Sequence, residues 1–397
     1  MVVALDSPQP VYTLPPLDDI PDTEEDKPRP GLAVKETGLL HLPEIIFGAA
    51  SFSYQYNGDD HLTSTTPIRT VRLALRYGIK AFDTSAFYGP SEIVLGTALK
   101  TLEPEFPRSS YRLMTKCGRF GPTAAHFDYS PQTIRASVRR SLERLHTNYL
   151  DTVYLHDVEF VCSHVQPRSS GNHMLALSSE KSEYGLLEGQ EAKVWGPGDQ
   201  IILDAIAELR KMKEEGIVKH VGITGYPLPV LLRIALLIFH TPPFEPLDVL
   251  LSYSHLNLQN DTFTTFLPHF RDRARVSQFV TASPINMGLL TPSPPQWHPA
   301  PPIVRDAARK AHETCLEESW PGGGLPNVAL GFAYRKAHEQ DLPTVVGLSN
   351  PGEVHDNVKI WRELVQGSAE TLKDGMVVED RILSAFQEVQ GWSWASP

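Results

Sequence analysis

The sequence predicts an α/β protein built as one (β/α)8 TIM barrel, and three observations carry that expectation. From residue 44 onward, eight short apolar runs with β propensity recur, each followed by a stretch of helical periodicity. Most of these runs are continuously apolar rather than alternating, as parallel strands covered on both faces require. No G-x-G-x-x-G follows the first run, so the usual fingerprint of an open dinucleotide-binding sheet is missing. Eight strand–helix repeats then favour a closed barrel over a doubly wound sheet.

The expected strands are 44–48, 79–83, 112–116, 151–156, 219–224, 248–253, 279–283 and 344–348, with amphipathic helices such as 131–145 and 201–215 between them. Residues 1–38 combine Pro8, Pro10, Pro15, Pro16, Pro21, Pro28 and Pro30 with an acidic run from Asp18 to Asp26. Such a composition buries little apolar surface, so this segment is expected to be a disordered tail, with the barrel spanning 39–397. Two segments interrupt the repeat on the side where strands end. The polar stretch 160–198 reads either as a lid over that face or as a disordered surface insertion, and the proline-rich segment 291–303 carries Trp297 and His298.

Bulk properties exclude several functions. At 397 residues the chain is of a length that a barrel with inserted loops reaches as one unit. The net charge of −11 comes without a basic cluster, which argues against a nucleic-acid partner. The most apolar stretch, 231–239, is too short to span a membrane and reads as a helix with a buried face. Three cysteines, Cys117, Cys162 and Cys315, and no visible signal peptide lead to the expectation of reduced thiols in the cytoplasm. No Cys/His spacing matches a structural zinc site, so no metal is expected. Nothing in the sequence speaks to oligomeric state.

Barrel enzymes place their chemistry at the C-terminal ends of strands. Here Asp83 ends the second run, Tyr88 follows in its loop, Lys116 ends the third and His156 ends the fourth. Each alone has a structural explanation, as a turn, packing or strand-end residue. Together they supply four complementary roles. A phenol titrating near 10 needs a nearby ammonium, the ammonium a carboxylate, and a substrate oxygen an imidazole to orient it.

The segment 82–92, FDTSAFYGPSE, continuing to Leu95 and Gly96, resembles the signature of the aldo-keto reductase family. The resemblance spans roughly residues 40–390 and implies that Asp83, Tyr88, Lys116 and His156 are the catalytic tetrad of a nicotinamide-dependent oxidoreductase. A narrower similarity, to the plant L-galactose and fungal D-arabinose dehydrogenases, lies in TKCGRFG at 115–121, HDVEF at 156–160, GITG at 222–225, LSYSH at 251–255, and the stretch from Ala282-Ser283-Pro284 to Trp297-His298-Pro299. It implies oxidation of a sugar at C1 to a lactone, mainly with NAD, on routes to ascorbate-type acids. The same family also contains NADPH-dependent aldehyde and ketone reductases and non-catalytic nucleotide-binding barrels, which are the alternative readings.

For the cofactor, GLSNP at 347–351 closes the eighth run and opens a helix whose free N–H groups suit a phosphate. Gly347 and Glu353 stand where NADP-preferring relatives bring a cation, which favours NAD over NADP, although Glu353 also reads as a first-turn partner of the helix dipole. The resemblance adds Ser349, Asn357 as an adenine contact, Ser283 as a pyrophosphate contact, and Thr224 and Ser252 near the nicotinamide amide. On the sixth run the register between Ser252 and Tyr253 stays open. Phe52, Phe87 and Trp297 are the candidates to line a sugar pocket and serve equally well as packing residues.

Overall fold

The computed structural model describes residues 12–317 and 324–395. Eight parallel strands close into a barrel: β1 (Ile45–Gly48), β2 (Ala81–Asp83), β3 (Arg112–Cys117), β4 (Leu150–Leu155), β5 (Val218–Gly225), β6 (Val249–Tyr253), β7 (Gln278–Ala282) and β8 (Thr344–Gly347), with β8 pairing back onto β1. Besides a single turn at Asp59–Leu62, the helices of the described residues are α1 (Thr66–Arg76), α2 (Ser91–Thr101), α3 (Pro131–Arg144), α4 (Pro197–Glu214), α5 (Leu228–Phe239), α6 (Phe263–Asp272), α7 (Pro302–Glu317), α8 (Leu325–His338), α9 (Pro351–Gln366) and α10 (Ala369–Ala385). All eight expected strands form, each within two residues of its expected bounds at either end.

Side chains alternate across each strand, so residues two apart share a face. Ile46, Ala81, Met114, Tyr154, Val249, Leu251, Val280 and Val345 point inward and fill the barrel, while their neighbours form the larger core against the helices. Gly222 makes room for the Tyr154 ring: a Cβ there would stand 2.8 Å from Tyr154 Cδ1 and 2.3 Å from the Val249 carbonyl. One step beyond this filled layer, the same parity turns Gly48, Asp83, Lys116, His156, Thr224, Tyr253, Ala282 and Gly347 toward the mouth.

The N-terminal segment departs from expectation. From Tyr12 onward it is folded into the groove between α1 and α9, not disordered; residues 1–11 lie outside the described residues. Asp26 is fully buried against Arg69, with Oδ1 accepting from Nε at 2.7 Å. Asp22 pairs with Arg76 at 2.6 Å, and His355 of α9 meets the Glu25 carbonyl at 2.8 Å. The acidic run therefore has partners, the cationic stripe Arg69, Arg72 and Arg76 of α1. Composition alone cannot show partners that lie some fifty residues away in sequence.

The 160–198 insertion is likewise ordered. It straps down the flank of the barrel over α5, which is why Leu228 through Ile238 are all buried. Arg233 of α5 is buried with both its Nη atoms on the Asp199 carboxylate, and Arg273 after α6 donates to the Leu186 carbonyl at 2.9 Å. At the mouth, Gly171–Asn172 pairs antiparallel with Trp392–Ser393, so the strap holds the C-terminal segment in place.

Candidate active site

The upper inward layer brings Asp83, Lys116 and His156 together, all buried, with Tyr88 of the β2–α2 loop above them. Lys116 Nζ donates to Asp83 Oδ1 at 2.5 Å and to the Thr84 carbonyl at 3.0 Å, and stands 4.8 Å from the centre of the Tyr88 ring. The Tyr88 and His156 rings meet edge to face at 5.6 Å. Burial works against the Lys116 charge, yet the Asp83 and Tyr88 oxygens hold its pKa above the ordinary lysine value. Burial pushes the Tyr88 phenol up, with the Lys116 ammonium pulling the other way.

His156 is neutral: burial, then the charges of Lys116 and Arg119, push its pKa well below the ordinary value. Its approach to Asp157 Oδ2 at 3.6 Å is therefore not an ion pair. Ser85 Oγ accepts the Phe87 amide at 3.0 Å and lies 2.9 Å from His156 Nδ1, with either atom of that pair able to donate. With the Ser85 hydroxyl as donor, the imidazole proton resides on Nε2, free to donate to a substrate oxygen. Tyr129 fixes the backbone here by donating to the His156 carbonyl at 2.6 Å. Next in the chain, buried Asp157 takes a left-handed φ of 59° and pairs with Arg119, whose guanidinium lies over Phe87 at 4.0 Å.

The β8–β1 seam is built from two paired glycines, Gly347 and Gly48. A Cβ on Gly347 would meet nothing closer than 4.0 Å, so that side of the seam is open beside the N-terminus of α9, whereas a Cβ on Gly48 would stand 2.9 Å from the Val346 carbonyl. Asn57 donates to Ser349 Oγ at 3.1 Å across this gap. Glu353 accepts from the Ser349 amide at 2.6 Å and from Asn350 Nδ2 at 2.9 Å, while its own amide donates to Asn350 Oδ1 at 3.0 Å. This reciprocal cap gives Glu353 a structural role at the helix dipole in addition to any part in cofactor choice. Asn357 accepts from Tyr334 at 2.7 Å and donates to the Glu353 carbonyl at 2.8 Å, leaving its second amide proton. Thr224 points to the mouth with a buried hydroxyl that has no hydrogen-bond partner among the described residues. An orphaned buried hydroxyl, an open glycine seam and a helix N-terminus suit an elongated dinucleotide.

Other expected site residues are distributed differently. Ser252 points away from the mouth, 3.4 Å from His255 Nδ1, and the inward residue of β6 is Tyr253. Ser283 sits at a turn with φ of 63° and accepts the Met287 amide at 2.7 Å. Phe52 is a core residue, fully buried 5.4 Å from the Phe47 ring, not a pocket wall. Phe87 stays beside His156, 5.9 Å between ring centres, and Trp297 is exposed at the rim, edge to face with Tyr56 at 6.4 Å between ring centres. Sequence reasoning missed Ser85, Arg119 and Asp157 as members of the site; all three sit in the quoted motifs, where their proximity to the tetrad was the available signal. It also missed Trp394, stacked on Tyr226 at 4.9 Å and edge-on to His298 at 4.8 Å, which no local pattern connects to the mouth.

A closed (β/α)8 barrel with a Lys–Asp ion pair under a tyrosine and a neutral histidine at its C-terminal mouth has the layout of an oxidoreductase that exchanges hydride with small molecules. The chain belongs to the aldo/keto reductase family, whose model matches residues 44–374. It is 33% identical over 363 residues to a D-arabinose 1-dehydrogenase of Saccharomyces cerevisiae, covering 90% of this chain and 95% of that one. It is 32% identical over 367 residues to an L-galactose dehydrogenase of Arabidopsis thaliana, covering 92% and 96%. Among solved structures it is similar in fold to an aldo-keto reductase of Bacillus halodurans in its holo form, with a TM-score of 0.59, 20% identity, and 89% and 96% of the two chains covered. No helix of the described residues is long and apolar enough to cross a membrane.

Proposed function

We propose that this enzyme is an NAD-dependent sugar dehydrogenase that oxidises C1 of an aldose such as D-arabinose or L-galactose to the aldonolactone, on an erythroascorbate- or ascorbate-type route in the cytoplasm. The observation that carries the reading is Lys116, held by Asp83 at 2.5 Å and placed 4.8 Å from the Tyr88 ring. The names of the two relatives supply the substrate class.

In this reading a nicotinamide held at the mouth would supply the acceptor for the C1 hydrogen, taken as hydride. Tyr88, as the phenolate that the Lys116 ammonium stabilises, takes the proton of the C1 hydroxyl and becomes a neutral phenol. Asp83 keeps Lys116 charged and aimed. His156 donates from Nε2 to the C1 oxygen and fixes its position, with Ser85 setting the tautomer. Thr224 and Tyr253 would hold the nicotinamide end, while Gly347, Ser349, Ser283 and the N-terminus of α9 would hold the phosphates. Glu353 supports NAD over NADP, because its carboxylate already occupies the Ser349 amide and repels a 2′-phosphate.

The raised pKa of Tyr88 favours a second reading, reduction of aldehydes with NADPH, since a protonated phenol is a proton donor at neutral pH. Initial rates of NAD and NADP reduction with D-arabinose, L-galactose and L-fucose separate the two. Faster turnover with NAD supports the dehydrogenase; no sugar oxidation together with NADPH-dependent reduction of simple aldehydes overturns it.

A further inference from the structure

We propose that Asp157, held by Arg119, reads a hydroxyl on the carbon next to the reacting carbon, so that the site selects α-hydroxylated substrates over simple aldehydes and deoxy sugars. The inference rests on the sugar-dehydrogenase reading and adds a specificity-determining residue to it.

The nitrogen that meets the substrate oxygen is His156 Nε2, and Asp157 Oδ2 lies 3.6 Å from it. Because the imidazole is neutral, this contact does not neutralise the carboxylate. Oδ2 pairs with Arg119, whereas Oδ1 is buried and has no hydrogen-bond partner among the described residues. A buried carboxylate oxygen left without a donor destabilises the free protein, and such groups concentrate where a ligand completes them. The left-handed φ of 59° at Asp157 is a second local cost, and it falls on the residue directly after His156.

Arg119 is itself held in place. Its Nε donates to the Gly121 carbonyl at 3.2 Å, and the guanidinium lies 4.0 Å from the Phe87 ring centre, with Phe127 at 5.3 Å and Phe160 at 5.5 Å. Vicinal hydroxyl oxygens of a sugar lie about one hydrogen-bond length apart. A C1 oxygen on Nε2 therefore carries the C2 oxygen to the edge of the Asp157 carboxylate. A substrate without that hydroxyl leaves the carboxylate without its donor in a closed site.

The test compares kcat/KM for D-arabinose and its 2-deoxy analogue, 2-deoxy-D-ribose, in the wild type, Asp157→Asn and Asp157→Gly. Both replacements tolerate a positive φ, and thermal melting confirms that they fold. The wild type is expected to prefer D-arabinose by about 10- to 100-fold, and the ratio to collapse toward one in both variants. No preference in the wild type, or an unchanged ratio in the variants, overturns the inference. Should the wild type oxidise neither sugar, the dehydrogenase reading fails on its own, and the same comparison runs in reduction with lactaldehyde against propanal. There a wild-type preference for lactaldehyde that the variants lose supports the role of Asp157, and equal rates contradict it.

Discussion

Ser85 Oγ stands 2.9 Å from His156 Nδ1 while accepting the Phe87 amide at 3.0 Å, and as a donor in that pair it keeps the imidazole proton on Nε2. Ser85→Ala removes that donor without touching substrate. The expected outcome is a fall in kcat of about tenfold, with nucleotide affinity unchanged and most of the rate restored in Ser85→Thr. Steady-state kinetics with a nucleotide titration reads both, and an unaltered kcat in Ser85→Ala would remove Ser85 from the account.

The pH dependence of sugar oxidation follows from Tyr88. Oxidation uses the phenolate, and burial raises the phenol pKa above the ordinary value despite Lys116. Between neutral pH and that pKa the phenolate fraction grows about tenfold per pH unit. Oxidation rates should rise steadily into the alkaline range, whereas reduction, which uses the protonated phenol, should not. A bell with its alkaline limb below pH 9 in the oxidation profile would place the controlling group elsewhere.

Cofactor choice turns on Glu353. Its carboxylate accepts the Ser349 amide at 2.6 Å, which occupies a backbone N–H just ahead of the helix that a phosphate would use. Glu353→Lys exchanges that carboxylate for a cation. NADP affinity should rise by about tenfold, equivalent to roughly 1.4 kcal/mol, and NAD affinity should not rise with it. Loss of the helix cap lowers stability by about 1 kcal/mol. Equal changes for both nucleotides, read by fluorescence titration, would show that Glu353 acts as a cap alone.

Asp26 ties the N-terminal segment to the barrel. It is fully buried, and its two carboxylate oxygens take Arg69 Nε at 2.7 Å and the Thr23 amide at 2.8 Å. Asp26→Ala leaves Arg69 with only its more exposed partner, Glu25. Breaking a buried pair of this kind costs about 3 kcal/mol. Thermal melting should show a clear drop in Tm with the active-site kinetics intact at low temperature, whereas an unchanged Tm would mean that the segment adds nothing to stability.

The barrel was legible because parallel strands buried on both faces leave uninterrupted apolar runs, and because Asp83, Lys116 and His156 break those runs at the layer that faces the mouth. What local pattern misses is pairing at a distance. The acidic 18–26 segment reads as a tail until the arginines of α1 are placed beside it, and Trp394 reads as a chain end until it stacks on Tyr226. The register between Ser252 and Tyr253 on β6 stays open in the sequence because the apolar run carries no alternation to set its phase; Tyr253, two residues after inward Leu251, takes the inward place. Phe52 was uninformative for a related reason, since an aromatic just past a strand end reads alike as core or pocket wall.

The most direct measurement is turnover and nucleotide binding in Tyr88→Phe, which removes one oxygen and keeps the ring that packs against His156 at 5.6 Å. The account predicts that sugar oxidation falls below about one thousandth of the wild-type rate while the nucleotide dissociation constant stays within about twofold. Oxidation at a rate near that of the wild type would contradict the assignment of Tyr88 as the group that takes the substrate proton.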